Sequence, residues 1–415
     1  MITENRRYSE QKWVWGLLIV ALLYNIYFAI RAWQSPVLLI GDAVYYDHSA
    51  TLLIALHRYT YWSWGPAAQV TPSYPVFLMF AYRIAMFFTS NRQTEMHVAV
   101  FIQHIVAAIT VVVLYYIMRF RLPVWASLVG CVLWMIYPPV IYGADQLLTE
   151  TLYVFFLMLF TWSFLRALRL KTVRSFILAG LLLGLMTLVR PSVLPLVFAP
   201  LLLLFQRQTR EAVRRHIVNW LSYLAVFVVV MLPWWIRNLV AMHQLILTDL
   251  DSANPLLFGS DPNFAHDTNL SKGLSQAQQK ALALQRIHEG FHNHPWMYLK
   301  WYTIDKIGWL FGSPWYDPVL SKNAGLLTRV MFAFAHVHIA WVILGAIGLL
   351  ISAWLPYFRW ISALVAVLVI VQLPFIPINR YVFPLMPFFF LGIMVLVVEG
   401  YRYVQDRTGK SALSG

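Results

Sequence analysis

The stretch VAVFIQHIVAAITVVVLYYIM, residues 98–118, contains no Asp, Glu, Lys or Arg side chain. A helix needs about 20 predominantly apolar residues to cross the hydrocarbon core of a bilayer, because lipid offers no partner to a free peptide group. Similar runs recur at about residues 13–32, 123–142, 150–168, 175–189, 193–205, 217–236, 330–350, 361–377 and 382–399. The sequence therefore predicts an all-α polytopic membrane protein with about ten transmembrane helices.

The composition of the chain agrees with a membrane protein. Of its 415 residues 60% are hydrophobic and only 12% are charged, whereas soluble domains are about a quarter charged. The net charge is +14, but the basic residues form short tracts between apolar runs, which is typical of topology signals and anionic-lipid contacts rather than of a nucleic-acid interface. A single cysteine, Cys131, excludes an intrachain disulfide and a thiolate metal site.

Basic residues at one end of the first run indicate the orientation of the chain. Arg6, Arg7 and Lys12 precede residues 13–32, and this run is too long for a signal peptide and lacks its small-residue cleavage site. We expect a retained first span with a cytoplasmic amino terminus, since basic residues accumulate on the cytoplasmic side.

Residues 74–89 are also apolar, but Arg83 interrupts them midway, where a charge would cost several kcal/mol in lipid. If this segment lies at the interface, the short basic loops that follow and the basic tail at 401–415 all fall on the cytoplasmic side, as the positive-inside rule requires. We therefore expect an interfacial helix at 74–89, a cytoplasmic carboxyl terminus and a location in the plasma membrane.

Two long segments, about 33–96 and 237–329, then face the external side within a single domain at 1–400. The first segment contains a predicted amphipathic helix at 41–58. In the second, Ser275 and Gln278 form a capping box before a helix at 281–291, and Pro295 opens another helix that ends near Phe311. Loops of this size are longer than connections between helices require, and they are suited to cover a site at the membrane surface.

Acidic residues near the external face are the first candidates for chemistry. Asp42 and Asp47 lie in the sequence GDAVYYDH at 41–48, where a carboxylate can accept a proton from a hydroxyl or bind a divalent metal. The alternative is that Asp42 caps the helix that it precedes. Glu150 stands at the external end of the fourth span, where the alternative is a favourable charge in a first helical turn capped by Thr149.

Three arginines at external helix ends form the second set of candidates: Arg190, Arg237 and Arg380. A single arginine at such a position is commonly an interfacial anchor. These three run against the positive-inside bias, however, and their guanidinium groups are suited to hold a lipid phosphate through paired hydrogen bonds if they converge.

Read in order, several short motifs resemble those of the type C membrane glycosyltransferases, specifically the bacterial relatives of protein O-mannosyltransferases and lipid A aminoarabinose transferases. The motifs are GDAVY (41–45), TPSYP (71–75), LTE (148–150), GLLLGLMTLVRP (180–191), PWWIRN (233–238), HPWMYL (294–299) and RY (380–381) with Pro384 and Pro387. Ala43 follows Asp42 where some relatives place a second acidic residue, which leaves open whether a divalent metal is required.

The resemblance implies a glycosyltransferase that moves a sugar from a polyprenyl-phosphate-linked donor to an extracytoplasmic lipid, cell-envelope glycan or protein. Asp42 is then the general base or positions the acceptor hydroxyl, and Arg237, Arg190 or Arg380 stabilises the leaving phosphate. The secondary candidates are Glu150, Tyr45, Asp47 and Tyr74. Inversion at the anomeric carbon is expected of the family.

Two other functions remain open at this point. A transporter or flippase of lipids or lipid-linked sugars would need broken helices and charged residues along a path through the bilayer. A non-catalytic scaffold that has kept the fold is the third alternative, since a fold does not determine a function.

Overall fold

The computed structural model describes residues 4–61, 64–205, 209–265, 271–316 and 326–407, and these ranges contain helices but no β-strand. The amino-terminal half comprises α1 (Glu4–Ala32), α2 (Asp42–Leu56), α3 (Ser73–Met86), α4 (Arg92–Met118), α5 (Val124–Met135), α6 (Pro138–Asp145), α7 (Glu150–Leu170) and α8 (Val173–Thr187). A 3₁₀ helix at Pro191–Phe205 precedes α9 (Arg210–Met242), α10 (Ala253–Gly259), α11 (Gln276–Asn293), α12 (Pro295–Lys300), α13 (Lys306–Phe311), α14 (Leu326–His336), α15 (His338–Ser352), α16 (Phe358–Gln372) and α17 (Met386–Arg407).

The described residues include five helices that are long and apolar enough to cross a membrane: Glu10–Ala32, Arg92–Met118, Glu150–Leu170, Arg210–Met242 and Asn379–Arg407. The pair α5 and α6 makes a sixth if it is one broken span. Four further apolar helices are shorter: Val173–Thr187, Pro191–Leu203, His338–Ser352 and Phe358–Gln372. The all-α membrane architecture is therefore confirmed, whereas a count of ten spans is not.

Two of the predicted spans are not continuous helices. The run at 123–142 is bent by 51° between α5 and α6, because Pro138 and Pro139 cannot continue the helix that precedes them. The run at 330–350 is divided at Val337. There the buried ring of His338 contacts the Tyr137 hydroxyl at 3.0 Å and the Phe311 carbonyl at 3.1 Å, and these contacts fix the start of α15.

The 3₁₀ helix at Pro191–Phe205 follows from its prolines. Pro195 and Pro200 lie inside it, and each lacks the N–H group that an α-helix would use. The carbonyl of Val197, three residues before Pro200, instead accepts a hydrogen bond from Trp220 Nε1 at 3.1 Å. The neighbouring Leu196 carbonyl accepts from the Tyr223 hydroxyl at 2.9 Å. Side chains of α9 thus satisfy backbone groups that lipid would leave unpaired.

The helices predicted in the two long loops are present. The segment at 74–89 forms α3, whose 14 residues are too few to span a bilayer. Ser275 and Gln278 make the predicted capping box at the start of α11. The helix opened by Pro295 reaches Phe311, but it contains a π-helical turn at Trp301–Asp305 between α12 and α13.

Glycines set the crossing of α15 and α17, the pair that carries the Arg380 segment at its end. A Cβ atom on Gly348 would lie 1.8 Å from the Gly392 carbonyl oxygen, and one on Gly345 would lie 2.7 Å from the Phe389 carbonyl oxygen. Small residues let helix backbones approach this closely inside a membrane. The position of α17, and with it that of the Arg380 segment, therefore depends on these two glycines.

We predict that Gly348→Ala destabilises the protein by about 1–3 kcal/mol or more, because the added methyl group must push two backbones apart. The measurement is the midpoint of thermal unfolding in detergent, together with the monodisperse fraction. Gly16→Ala on α1 is the matched control, since its Cβ would meet nothing within 4 Å. Equal midpoints for both variants would contradict the packing described here.

Candidate active site

A cavity of about 430 Å³ opens where the start of α2, the start of α7 and the segments after α8, α9 and α16 meet. Both long loops contribute to it, the first through Asp42 and the second through Asp249 and Asp251. Arg190 and Arg380 also line it. The cavity thus gathers acidic and basic side chains that lie more than 300 residues apart in the chain.

Glu150 is the centre of the charged cluster beside this cavity. Its carboxylate is fully buried and accepts a hydrogen bond from Arg190 Nη2 at 2.7 Å and another from Arg380 Nε. Arg380 Nη1 also donates to Asp42 Oδ2 at 2.9 Å. Two of the three predicted arginines therefore converge, and a buried carboxylate holds them together.

Neither acidic residue acts as a helix cap. Gly41 is the N-cap of α2, with a φ of 59°, and no side chain makes a capping bond there. Asp42 is therefore the first helical residue, and its carboxylate is 46% exposed and paired with Arg380. Thr149 precedes α7 without a capping bond, so the predicted Thr149 cap is wrong as well. Both carboxylates form ion pairs with arginines.

Arg190 keeps hydrogen-bonding capacity beyond its bond to Glu150. Its guanidinium group lies over the rings of Tyr153 and Tyr381, with centroid distances of 5.6 and 5.2 Å. Its Nη1 atom is buried and has no hydrogen-bond partner in the described part of the chain. A guanidinium group placed in this way is suited to bind an anion such as a phosphate oxygen.

Arg237, the third candidate arginine, does not join the cluster of Arg190 and Arg380. Its Nη2 donates to the Tyr59 carbonyl at 2.5 Å, and its Nη1 donates to the Ala67 carbonyl at 2.6 Å and to Asn238 Oδ1 at 2.9 Å. The group also stacks against Tyr59 and Trp234. Arg237 therefore fixes the first long loop.

The secondary candidates occupy other places. Asp47 forms an ion pair with Arg92 and accepts a hydrogen bond from the Tyr82 hydroxyl at 2.7 Å. Tyr45 is exposed, with its ring 5.1 Å from that of Tyr61. Tyr74 is fully buried and donates to Gln103 Oε1 at 2.8 Å. None of the three is among the cavity-lining residues.

Three cavity residues were not singled out by their sequence positions: Tyr46, Asp249 and Asp251. Burial, together with nearby Asp251, raises the pKa of Asp249 to about 7. Burial and the charge of Asp42 raise the pKa of Asp251 to about 6. Tyr46 is buried between the rings of Tyr61 and Tyr74, and burial raises its pKa.

The two acidic side chains considered as metal ligands, Asp42 and Asp47, have different partners. Among the residues that the structure describes, no group of three or more His, Cys, Asp or Glu side chains is placed to hold a metal ion. Asp42 and Asp47 are each paired with a different arginine, Arg380 and Arg92. The two-carboxylate site considered from the sequence is therefore not formed.

One family model matches part of the chain. It is described as dolichyl-phosphate-mannose-protein mannosyltransferase and matches residues 73–236. This range contains Glu150 and Arg190, whereas Asp42 and Arg380 lie outside it. No curated protein matches the chain by sequence.

Several solved structures align with most of this chain, and those of one oligosaccharyltransferase share its fold. The Archaeoglobus fulgidus oligosaccharyltransferase in its apo form aligns with a TM-score of 0.52 at 14% identity, over 97% of this chain and 53% of that one. Its complex with Zn and sulfate gives 0.53 at 14% identity, over 94% and 50%. ArnT from Cupriavidus metallidurans, bound to undecaprenyl phosphate, gives 0.45 at 12% identity, over 96% and 81%.

The chain has the fold of a type C membrane glycosyltransferase. The resemblance seen in its motifs is thereby confirmed at the level of the fold. The chain spans about half the length of the oligosaccharyltransferase. In this glycosyltransferase fold, the charged cavity lies where the two long loops meet the ends of the membrane helices.

We predict that Glu150→Gln destabilises the protein by about 3–5 kcal/mol, because it leaves two largely buried guanidinium groups without their shared counter-charge. The measurement is the thermal unfolding midpoint in detergent. Glu399→Gln is the matched control, since Glu399 is partly exposed and pairs with an exposed Arg402, and such surface pairs contribute about 0–1 kcal/mol. A Glu150→Gln midpoint equal to that of the control would contradict the central role of Glu150.

Proposed function

We propose that the chain is a glycosyltransferase that moves a sugar from a polyprenyl-phosphate-linked donor to an extracytoplasmic acceptor, which is a lipid, a cell-envelope glycan or a protein. The observation that carries the proposal is the juxtaposition of a half-exposed carboxylate, Asp42, with two arginines in one cavity. The description of the matching family model, which names a lipid-phosphate-linked mannose donor, agrees with this substrate class.

The arrangement supports a direct displacement at the anomeric carbon. The acceptor hydroxyl forms the new bond to this carbon and gives its proton to the Asp42 carboxylate. The bond between the anomeric carbon and the phosphate oxygen breaks, and its electron pair stays on the phosphate. Negative charge grows there as the bond breaks, so Arg380 and Arg190, held in place by Glu150, lower the barrier. Proton transfer to a positioned carboxylate contributes about 10²–10⁴ in rate.

An apolar cavity beside the charged one fits the lipid part of such a donor. It has a volume of about 220 Å³ and is lined by side chains of α7, the 3₁₀ helix and α16, including Phe164, Phe198 and Trp360. Pro195 belongs to the walls of both cavities. A polyprenyl phosphate can therefore place its headgroup at Arg190 and its first isoprene units along this wall.

The proposal includes an orientation in the plasma membrane. We place both termini in the cytoplasm and the cavity on the external side. The positive-inside distribution of the basic loops supports this placement. The two long loops, which the same distribution puts outside, both supply residues to the cavity.

We predict that Asp42→Asn abolishes release of free polyprenyl phosphate while the protein still inserts and purifies normally, because the amide cannot accept the acceptor proton. The measurement is transfer from a panel of radiolabelled polyprenyl-phosphate sugars in membranes that overexpress the chain.

Asp47→Asn is the control for this experiment, because Asp47 lies on the same helix and faces Arg92 instead of the cavity. It should retain transfer when activity is normalised to folded protein. Full activity of Asp42→Asn, or equal loss in both variants, would overturn the assignment of the base. Translocation of lipid without consumption of any donor would favour the flippase alternative.

We predict that donor binding weakens by about fivefold or more as the pH rises from 5.5 to 8. Asp251 and Asp249, with pKa values raised to about 6 and about 7, lose their protons in this range and add negative charge beside the phosphate. The donor phosphodiester keeps a single charge throughout. The measurement is the half-saturating donor concentration, and the double variant Asp249→Asn/Asp251→Asn should flatten its pH dependence. An equal pH dependence of the half-saturating donor concentration in the wild type and the double variant would contradict the proposed repulsion between these carboxylates and the phosphate.

A further inference from the structure

Lys306 is a buried lysine outside the cavity. The side chain at the start of α13 is fully buried, and its Nζ donates to the Leu373 carbonyl at 2.5 Å and to the Phe375 carbonyl at 3.0 Å. It also lies over the rings of Trp301 and Tyr302, at 5.4 and 4.1 Å. Among the described residues, no carboxylate forms an ion pair with it.

The burial of Lys306 costs free energy that its contacts must offset. Burying a charge without a counter-charge costs several kcal/mol, and burial accordingly lowers the pKa of Lys306 to about 7. Two carbonyl groups and two aromatic rings offset part of this cost. The amine of Lys306 therefore holds the carbonyls of Leu373 and Phe375 against the start of α13.

The partner carbonyls belong to the segment at 373–381, which follows α16 on the way to α17. Phe375 and Arg380 of this segment both line the charged cavity. The carbonyls bound by Lys306 stand at the start of this segment, only a few residues before Arg380. A shift of these carbonyls would therefore also shift the guanidinium group that contacts Glu150 and Asp42.

The second long loop touches this segment at three further points. The amide of Ile376 donates to the Pro255 carbonyl at 2.8 Å, and Asn379 Nδ2 donates to Ser313 Oγ at 3.1 Å. Gly259 lies so close that a Cβ atom on it would be 2.4 Å from the Pro374 carbonyl oxygen. Together with the hydrogen bonds of Lys306, these contacts hold the second long loop against the segment at 373–381. We refer to this set of contacts as the clamp.

We propose that Lys306 is a positioning residue, which sets the place of Arg380 in the active site by clamping the 373–381 segment to the second long loop. The effect that we expect on kcat rests on the proposed glycosyl transfer, whereas the contacts of Lys306 do not. The clamp itself is a structural relation that holds for any function of the cavity.

The test compares Lys306→Met with Lys300→Met. Methionine keeps the length of the side chain but removes the ammonium group. Lys300 is the matched control, because it lies in the preceding helix, is 63% exposed and pairs with Asp305. Two readouts are measured: hydrogen–deuterium exchange of the peptides covering 373–381, and kcat and KM with the most active donor of the panel described above.

We expect exchange in this segment to become at least about tenfold faster in Lys306→Met. Its kcat should fall by about 10- to 100-fold with a smaller change in KM, because misplacement of a charged group by about 1 Å costs about 10²-fold in rate. The control should match the wild type in both measurements. Wild-type exchange in Lys306→Met would overturn the clamp, and a lowered unfolding midpoint with unchanged kcat per folded molecule would overturn the positioning role.

Asn379→Ala provides a second variant in case Lys306→Met does not fold. It removes the contact with Ser313 and leaves the ammonium group in place, so exchange in the same segment should rise to a smaller extent. Unchanged exchange there would count against the clamp. If the wild-type protein consumes no donor, the proposed function fails, and the exchange measurement still decides whether the clamp exists.

Discussion

The buried carboxylate of Glu150 is the constraint on which the site depends. It is fully buried and binds one nitrogen of Arg190 and one of Arg380. The two arginines lie 190 residues apart in the chain, one after α8 and one before α17, and like charges so close together repel unless a counter-charge lies between them. The carboxylate also leaves Arg380 free to hold Asp42 at the cavity surface.

Much of the helical architecture could be predicted from the sequence, because it depends on interactions between residues that are close in the chain. Apolar runs of span length, the capping box of Ser275 and Gln278 and the helix at Pro295 depend on neighbouring residues only. The positions of Arg190 and Arg380 at helix ends likewise pointed to a common site. The run at 193–205 is evidently apolar from its sequence, but the partners that satisfy the carbonyls of its 3₁₀ helix are Trp220 and Tyr223 of another helix.

The remaining parts of the site depend on contacts between distant segments. Arg237 stands in a motif that suggested a phosphate ligand, but the carbonyls of Tyr59 and Ala67 occupy its guanidinium group, and no local pattern reveals them. Asp249 and Asp251 lie in an ordinary polar loop. Lys306 is a lysine in a loop helix, where solvent exposure is the usual expectation. Its burial follows from the way the loop packs on residues 373–375.

The 3₁₀ helix has a mechanical consequence for the position of Arg190. A 3₁₀ helix rises about 2.0 Å per residue and an α-helix about 1.5 Å, so the 15 residues of Pro191–Phe205 reach about 30 Å instead of about 22 Å. This longer reach equals the thickness of a hydrocarbon core. The two internal prolines therefore lengthen a segment that would be too short to cross the core as an α-helix, and they set how far Arg190, which precedes it, lies from Phe205 at its other end.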